Sequence, residues 1–263
     1  MDYLKLFNTV NDAVSYELSS SYVEPYCSYS IDESSVRYDR VICWIDAEYE
    51  VTNAEHDTVI CYTKIGYNNT VHDNLFKVVV DGDEIDFDVD DGIISVPLGV
   101  GTHNIQFYFL GNEIASGFFH YILSLKSASF HGIKRIYDNY SGFDASASSN
   151  FGMFFKYTTG GNLLDVTFDN KLTEVCDTLL YGIDPNCSVT FESDYFKITD
   201  VGESGDLCEW LWSTVGTGGK RVPGGIIIYL SENMYDNYIN SSCEERQDIT
   251  IAMIGDNQGN IQR

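Results

Sequence analysis

The side chains best suited to chemistry in this chain are carboxylates and indoles. Asp81, Asp83, Glu84, Asp86, Asp88, Asp90 and Asp91 crowd into eleven residues, and on an extended strand Asp86, Asp88 and Asp90 project from one side about 7 Å apart. Oxygen ligands in that number invite calcium, but a calcium loop needs backbone curvature to bring them together. Counting from Asp86, the sixth position holds no glycine and the twelfth is Pro97, so the EF-hand is excluded. The cluster reads as a solvated acidic face that resists edge pairing, and no metal or cofactor is expected.

The second candidate is Glu209-Trp210-Leu211-Trp212. On a strand, Trp210 and Trp212 share one face, as a sugar-stacking platform requires; the same indoles also suit core or interface anchors. The glycine-rich run 216–225 follows, but Gly216-Thr217-Gly218-Gly219-Lys220 lacks the spacing and the Ser/Thr of a phosphate loop. There is no nucleophile elbow and no HExxH, and the histidines at 56, 72, 103, 120 and 131 are scattered. A paired-carboxylate glycosidase leaves no sequence mark, so an acidic glycan hydrolase stands as a third reading behind a non-enzymatic one. Cysteines 27, 43, 61, 176, 187, 208 and 243 include no CxxC. They read as reduced, buried thiols, with Cys43 and Cys61 the pair best suited to a cross-sheet exception.

The elements that must position these groups are strands. In Lys77 to Gly111, Val78-Val79-Val80 runs into Asp81-Gly82, a strong hairpin signal. Ile85, Phe87 and Val89 then alternate with acids, Ile93 to Val96 forms a third strand, and His103 to Leu110 puts Ile105, Phe107 and Phe109 on one face. Val41 to Trp44, Glu48 to Val51, Thr58 to Thr63 and Phe118 to Leu123 bring the total near seven, the number of a sandwich. A small polar run, Asp144 to Asn150, follows. Beyond it, Met153 to Tyr157, Leu163 to Phe168, Ser188 to Phe191, Phe196 to Thr199, Gly225 to Leu230 and Ile249 to Ile254 again read as strands. Leu172 to Leu180 and Ser231 to Ile239 read as short helices.

Composition agrees. Nineteen Tyr and 15 Phe against 4 Pro and 4 Met favour strands. Forty acidic against 15 basic residues give a formal charge of −25, a field that repels nucleic acid and selects basic or cation-bearing partners. Residues 41–120 hold fourteen acids against Lys64 and Lys77, whereas residues 121–263 hold nineteen against ten, so the first half owns the field. The sequence shows neither a signal-peptide pattern nor an apolar run long enough to span a membrane, and the expectation is a soluble chain with no membrane partner.

Residues 1–40 are Ser-rich and studded with aromatics, among them Phe7, Tyr22, Tyr26, Tyr29 and Tyr38. They suit either a docking arm, each ring filling a partner's pocket, or a strand pair packed on the chain's own domain. Leu6-Phe7-Asn8-Thr9, Tyr16-Glu17 and Pro25-Tyr26-Cys27-Ser28-Tyr29, with Asp32, Val36 and Tyr38, resemble an opening that recurs in virion proteins of crAss-like and other bacteriophages of gut Bacteroides hosts. Tyr26-Cys27 stands where Asn-Val is common there, and Asp39 where Asn is common. That resemblance implies association with a phage particle. Val80-Asp81-Gly82 with Gly99 to Phe109 resembles immunoglobulin-like modules that neighbour leucine-rich surface repeats in gut bacteria, which implies fold and not activity.

The expectation is therefore an all-β chain with an N-terminal docking arm (1–40), an Ig-like β-sandwich (41–126), a linker (127–150) and a second β-rich domain (151–263). Its expected role is that of a non-enzymatic virion protein of the tail, a ring or the head surface, bound to other virion proteins and to copies of itself. The alternative is an adhesion module that holds a host or mucus carbohydrate through Trp210 and Trp212.

Overall fold

The computed structural model describes residues 42–53, 59–65, 70–71, 74–87, 92–115, 117–119, 122–137, 163–199, 206–215 and 219–256. The expected arm, with Phe7, Tyr22, Tyr26, Tyr29 and Tyr38, lies outside them, as does the strand expected over 153–157. In chain order the first half supplies β1 (Ile42–Val51), β2 (Val59–Tyr62), β3 (Lys64–Ile65), β4 (Thr70–Val71), β5 (Leu75–Val80), β6 (Asp83–Ile85), β7 (Ile93–Ser95), β8 (Gly101–Leu110) and β9 (Glu113–Ala115). The second supplies β10 (Leu125–His131), β11 (Arg135–Tyr137), β12 (Asp165–Phe168), β13 (Glu174–Cys176), β14 (Ser188–Phe191) and β15 (Lys197–Thr199). It continues with α1 (Leu207–Trp212), β16 (Thr214–Val215), β17 (Gly219–Lys220), β18 (Ile227–Leu230), α2 (Glu232–Ile239) and β19 (Thr250–Met253). The all-β expectation holds.

The two halves are wound differently. In the first, β1, β8, β5 and β6 pair antiparallel, and the β5–β6 hairpin turns through Asp81 and Gly82. Both turn residues have positive φ, 52° and 92°, as the tight hairpin turn whose twist matches its strands requires. In the second half every long pairing is parallel. β10, β12, β14, β18 and β19 stack in one sheet, while β9, β11, β13 and β15 stack in another. The chain alternates between the two sheets, one strand in each per coil, which makes a parallel β-solenoid. Asp165 pairs with Ser188, Glu174 with Lys197 and Ile227 with Thr250, each 23 residues on. Two coils are longer, since Ser127 pairs with Asp165 after 38 residues and Ser188 with Ile227 after 39. Both extra lengths enter at the same place, after the second strand of the coil.

β10 joins the halves. One edge pairs antiparallel with β1 and the other parallel with β12, so a single nine-stranded sheet runs from β6 to β19. Residues 127–137, assigned to a linker by composition, are thus β10 and β11. Leu125, Ala128 and Phe130 point inward, across a register shift in the pairing with β1 that lengthens the step from Leu125 to Ala128, and small polar neighbours conceal the pattern. The main core cluster likewise spans both halves and includes Cys43, Ile45, Phe107, Phe130, Val166, Phe191 and Ile228, with a small second cluster of Ile42, Val79 and Tyr108 on the sheet's other face. Along it, Phe119 meets Phe130 edge-on, Phe130 stacks on Phe168 at 4.5 Å, and Phe168 stacks on Phe191 at 5.0 Å. Phe191 then reaches Phe196 and Trp210.

Three local expectations change. β1 is one ten-residue strand where two short ones were expected, because nothing between Trp44 and Glu48 breaks its alternation. Phe118 and Phe119 lie in a turn instead of a strand, and both rings are buried. Leu172 to Leu180 is β13 followed by turns, not a helix, whereas the helix expected over 231–239 is α2, capped by the Ser231 hydroxyl accepting from the Met234 N–H.

A shared core predicts shared unfolding. Phe168→Ala removes the centre of the aromatic stack and should cost about 3–5 kcal/mol. In a denaturant titration, tyrosine fluorescence and far-ultraviolet circular dichroism should report one coincident, shifted transition; two separate transitions would show that the halves unfold independently.

Candidate functional site

The nine-stranded sheet buries one face in the core and turns the other outward. Strand register lines the outer residues up in rows. Val79, Gln106, Asp46, Ser129, Thr167, Thr190, Tyr229 and Ala252 are successive neighbours across eight strands. A second row runs Asn104, Glu48, Ser127, Asp165, Ser188, Ile227 and Thr250. From Gln106 to Thr190 the first row is half-buried and polar throughout. Between the rows, Asp46, Glu48, Asp81, Asn104, Gln106 and Ser129 line an open groove of about 610 Å³.

Asp46 organises the antiparallel end of this face. Its carboxylate accepts from Gln106 Nε2 at 2.7 Å and Trp44 Nε1 at 3.2 Å, and His131 Nε2 lies at 3.1 Å. Burial is the largest influence on its pKa and works upward, but the bonds from His131, Gln106 and Trp44 outweigh it together and hold the carboxyl below its ordinary value. Trp44 stacks on His131 with centroids 4.8 Å apart, and the Tyr108 hydroxyl donates to Gln106 Oε1 at 3.0 Å. The result is a fixed, ionised group held by an aromatic and amide frame. Further along, the Ser188 hydroxyl donates to the Asp165 carboxylate, and Lys126 pairs with Glu50.

The acidic run divides. Asp81 binds His103, with Nδ1 to Oδ2 at 2.7 Å, while Asp81 Oδ1 accepts the Asn104 N–H at 2.8 Å. His103 Nε2 faces the Gly99 carbonyl at 2.9 Å. Glu84 pairs with Lys77 at 2.9 Å. Asp88, Asp90 and Asp91 lie outside the described residues, and among those described no three His, Cys, Asp or Glu side chains converge as metal ligands.

The two indoles do not form a platform. Asp206 accepts the Glu209 N–H at 2.8 Å and so caps α1, and residues two apart on a helix point in different directions. Trp210 is wholly buried and donates to the Asp177 carbonyl at 2.7 Å. Trp212 is partly exposed, donates to the Glu244 carbonyl at 2.8 Å and carries Lys220 Nζ over its ring at 4.2 Å. The sequence could have shown this, because Asp206 followed by Glu209 before an apolar run is a helix-start signal.

The cysteine expectation is also corrected. Cys43 and Cys61 are free and buried, and burial pushes the Cys43 thiol up to about 12. The disulfide joins Cys208 in α1 to Cys243 beyond α2; their spacing carries no motif. Beside it, buried Arg246 donates to the Leu211 and Val222 carbonyls at 2.6 and 2.7 Å and binds Asp248, which ties α1 to β19.

Sheet, rows and coil together define the class of protein: a parallel β-solenoid continuous with an antiparallel β half, whose outward sheet face carries a polar row from Gln106 to Thr190 beside an apolar cluster of Ile42, Val79 and Tyr108. Comparison with family models, with curated proteins and with solved structures finds no match to this chain. Among the described residues no helix is long and apolar enough to cross a membrane.

The Asp81–His103 pair makes stability depend on pH in a definite window. Hydrogen bonding to His103 lowers Asp81 below 3.8, and the bond to Asp81 raises His103 above 6.5. The Asp81 contribution is complete above 3.8 and fades as pH falls through its lowered value. The His103 contribution is complete below 6.5 and fades as pH rises through its raised value. The stability difference between the natural chain and His103→Gln should therefore be greatest between pH 3.8 and 6.5. Chemical denaturation across pH checks it, and a difference that does not vary with pH would dissolve the pair as an energetic unit.

Proposed function

We propose that this chain is a non-enzymatic structural component of a bacteriophage particle, held by its N-terminal arm and presenting the outer face of its nine-stranded sheet to a protein partner. The observation that carries the binding role is the unbroken polar register from Gln106 through Asp46, Ser129 and Thr167 to Thr190. Solenoids use such stacked strand faces as extended binding surfaces, because each coil adds one strand to a continuous plane. A partner that docks there meets Asp46, Glu48 and Asp165 and a chain of charge −25, so it is basic or brings cations.

Placement on a particle rests on the resemblance of residues 1–40 to phage virion proteins. The Ig-like reading of the first half draws support from the β2–β7 pair, whose Ile60, Cys61 and Ile94 share the core with Cys43 and Ile45 of β1. The second half agrees with the setting in which such modules occur. The 23-residue spacing of paired strands lies within the 20–29 residues of leucine-rich repeats, and Leu125-x-x-Ala128-x-Phe130 and Leu163-x-x-Val166-x-Phe168 follow their apolar spacing. Modules of the kind that residues 77–111 resemble stand beside such repeats.

Light scattering on the full chain and on residues 41–263 tests the arm. The full chain should form a multimer, or join purified particles, and the truncated chain should remain monomeric and fail to join. Equal mass and equal incorporation would take the arm out of assembly.

A further inference from the structure

A cleft of about 220 Å³ opens where the second sheet ends. β15 is its last strand, and in the next coil α2 follows β18 and packs on β18 and β19. Phe196, Leu207 and Met234 line the cleft's apolar interior. Tyr195, Tyr238, Asn237 and Asp206 also line it, with Cys208 and Ser241. The disulfide through Cys208 and the cap on α1 fix the side opposite α2.

Tyr195 is the unusual member. Its ring is 70% exposed although the neighbouring Phe196 is buried, so a large aromatic surface is held in water at the edge of a concave site. Tyr238, on α2, adds a second ring. A phenol is apolar across its face and polar at its tip. Asn237 contributes an amide with both donors and an acceptor. Asp206 accepts the Glu209 N–H as the cap of α1 and brings negative charge to the cleft.

We propose that this cleft binds a single neutral pyranose at the end of a glycan. The volume falls below the roughly 300 Å³ at which pockets begin to hold drug-sized ligands, which suits one ring. A pyranose has an apolar C–H face to lay on tyrosine and a rim of hydroxyls for amide, carboxylate and phenol, and this mixture matches the lining. The charge of −25 and the Asp206 carboxylate reject uronic and sialic acids. The proposal replaces the indole platform at Trp210 and Trp212 with a different site and does not depend on how the chain is held in a particle.

Saturation-transfer NMR and calorimetric titration of the full chain test it, with methyl β-galactopyranoside, methyl β-glucopyranoside and N-acetylglucosamine as probes and glucuronate as the anionic control. At least one neutral sugar should receive saturation, and glucuronate should not. Tyr195→Ala should weaken that sugar about tenfold, the scale of one lost aromatic contact, whereas Tyr195→Phe should stay within about threefold and Trp212→Ala should change nothing. Because Tyr195 is exposed, the Ala variant should melt like the natural chain, which separates lost binding from lost fold. Transfer to none of the neutral sugars, equal binding by Tyr195→Ala, or glucuronate binding as well as they do would each overturn the assignment.

Discussion

Everything in this molecule depends on β10 being able to pair in two senses at once. Its antiparallel bonds to β1 and parallel bonds to β12 let a hairpin sheet continue into a solenoid without an exposed edge at the junction. The turn that ends β10 is equally constrained. Gly132 has φ of 71°, its N–H donates to Asp169 Oδ2 at 2.7 Å, and a side chain there would press on the Ile42 carbonyl at 3.3 Å. Glycine lets β10, β1 and the loop after β12 close on one another, since it alone enters that backbone region without a steric penalty. Beneath this joint the phenyl rings carry packing from the first half into the second, so sheet and core cross it together.

The same register that builds the core face organises the polar one. Strand side chains alternate, so a fixed pairing that aligns Phe107, Ile45, Phe130, Phe168 and Phe191 within also aligns Gln106, Asp46, Ser129, Thr167 and Thr190 without. A binding surface of this kind needs no separate scaffold. Its charge is uneven along the sheet, because hydroxyls dominate over the parallel strands while carboxylates gather on β1, at the Asp81 turn and on β6. A partner approaching the face therefore meets direction as well as shape.

Much of this was legible in the residues, and the parts that were not share a cause. Period-two alternation revealed β8 through Ile105, Phe107 and Phe109, and Asp81-Gly82 revealed the hairpin, because both signals are local. The strands at β12, β14, β15, β18 and β19 were legible for the same reason, whereas the short β11 and β13 were not. Pairing sense was not, and the strongest clue to it is non-local: Asp165-Val166-Thr167-Phe168 recurs 23 residues on as Ser188-Val189-Thr190-Phe191, a self-similarity that marks stacked coils. Small residues in Ser127-Ala128-Ser129 looked like a linker because half of them face solvent. The indoles were misplaced by choosing a strand period over the cap at Asp206. The cleft beside Tyr195 had no signal at all, since the turn before β15, α1 and α2 come together only in three dimensions.

The constant placement of the two long connections has an evolutionary consequence. Each coil contacts its neighbours alone, so a duplicated coil would lengthen the sheet by one strand spacing, about 4.8 Å, and leave every other pairing intact. Insertions after the second strand leave the ladder equally undisturbed, as the 38- and 39-residue steps already demonstrate. Such a chain can vary its reach by copying coils and vary what it carries by rewriting the connections, two kinds of change that selection can make separately.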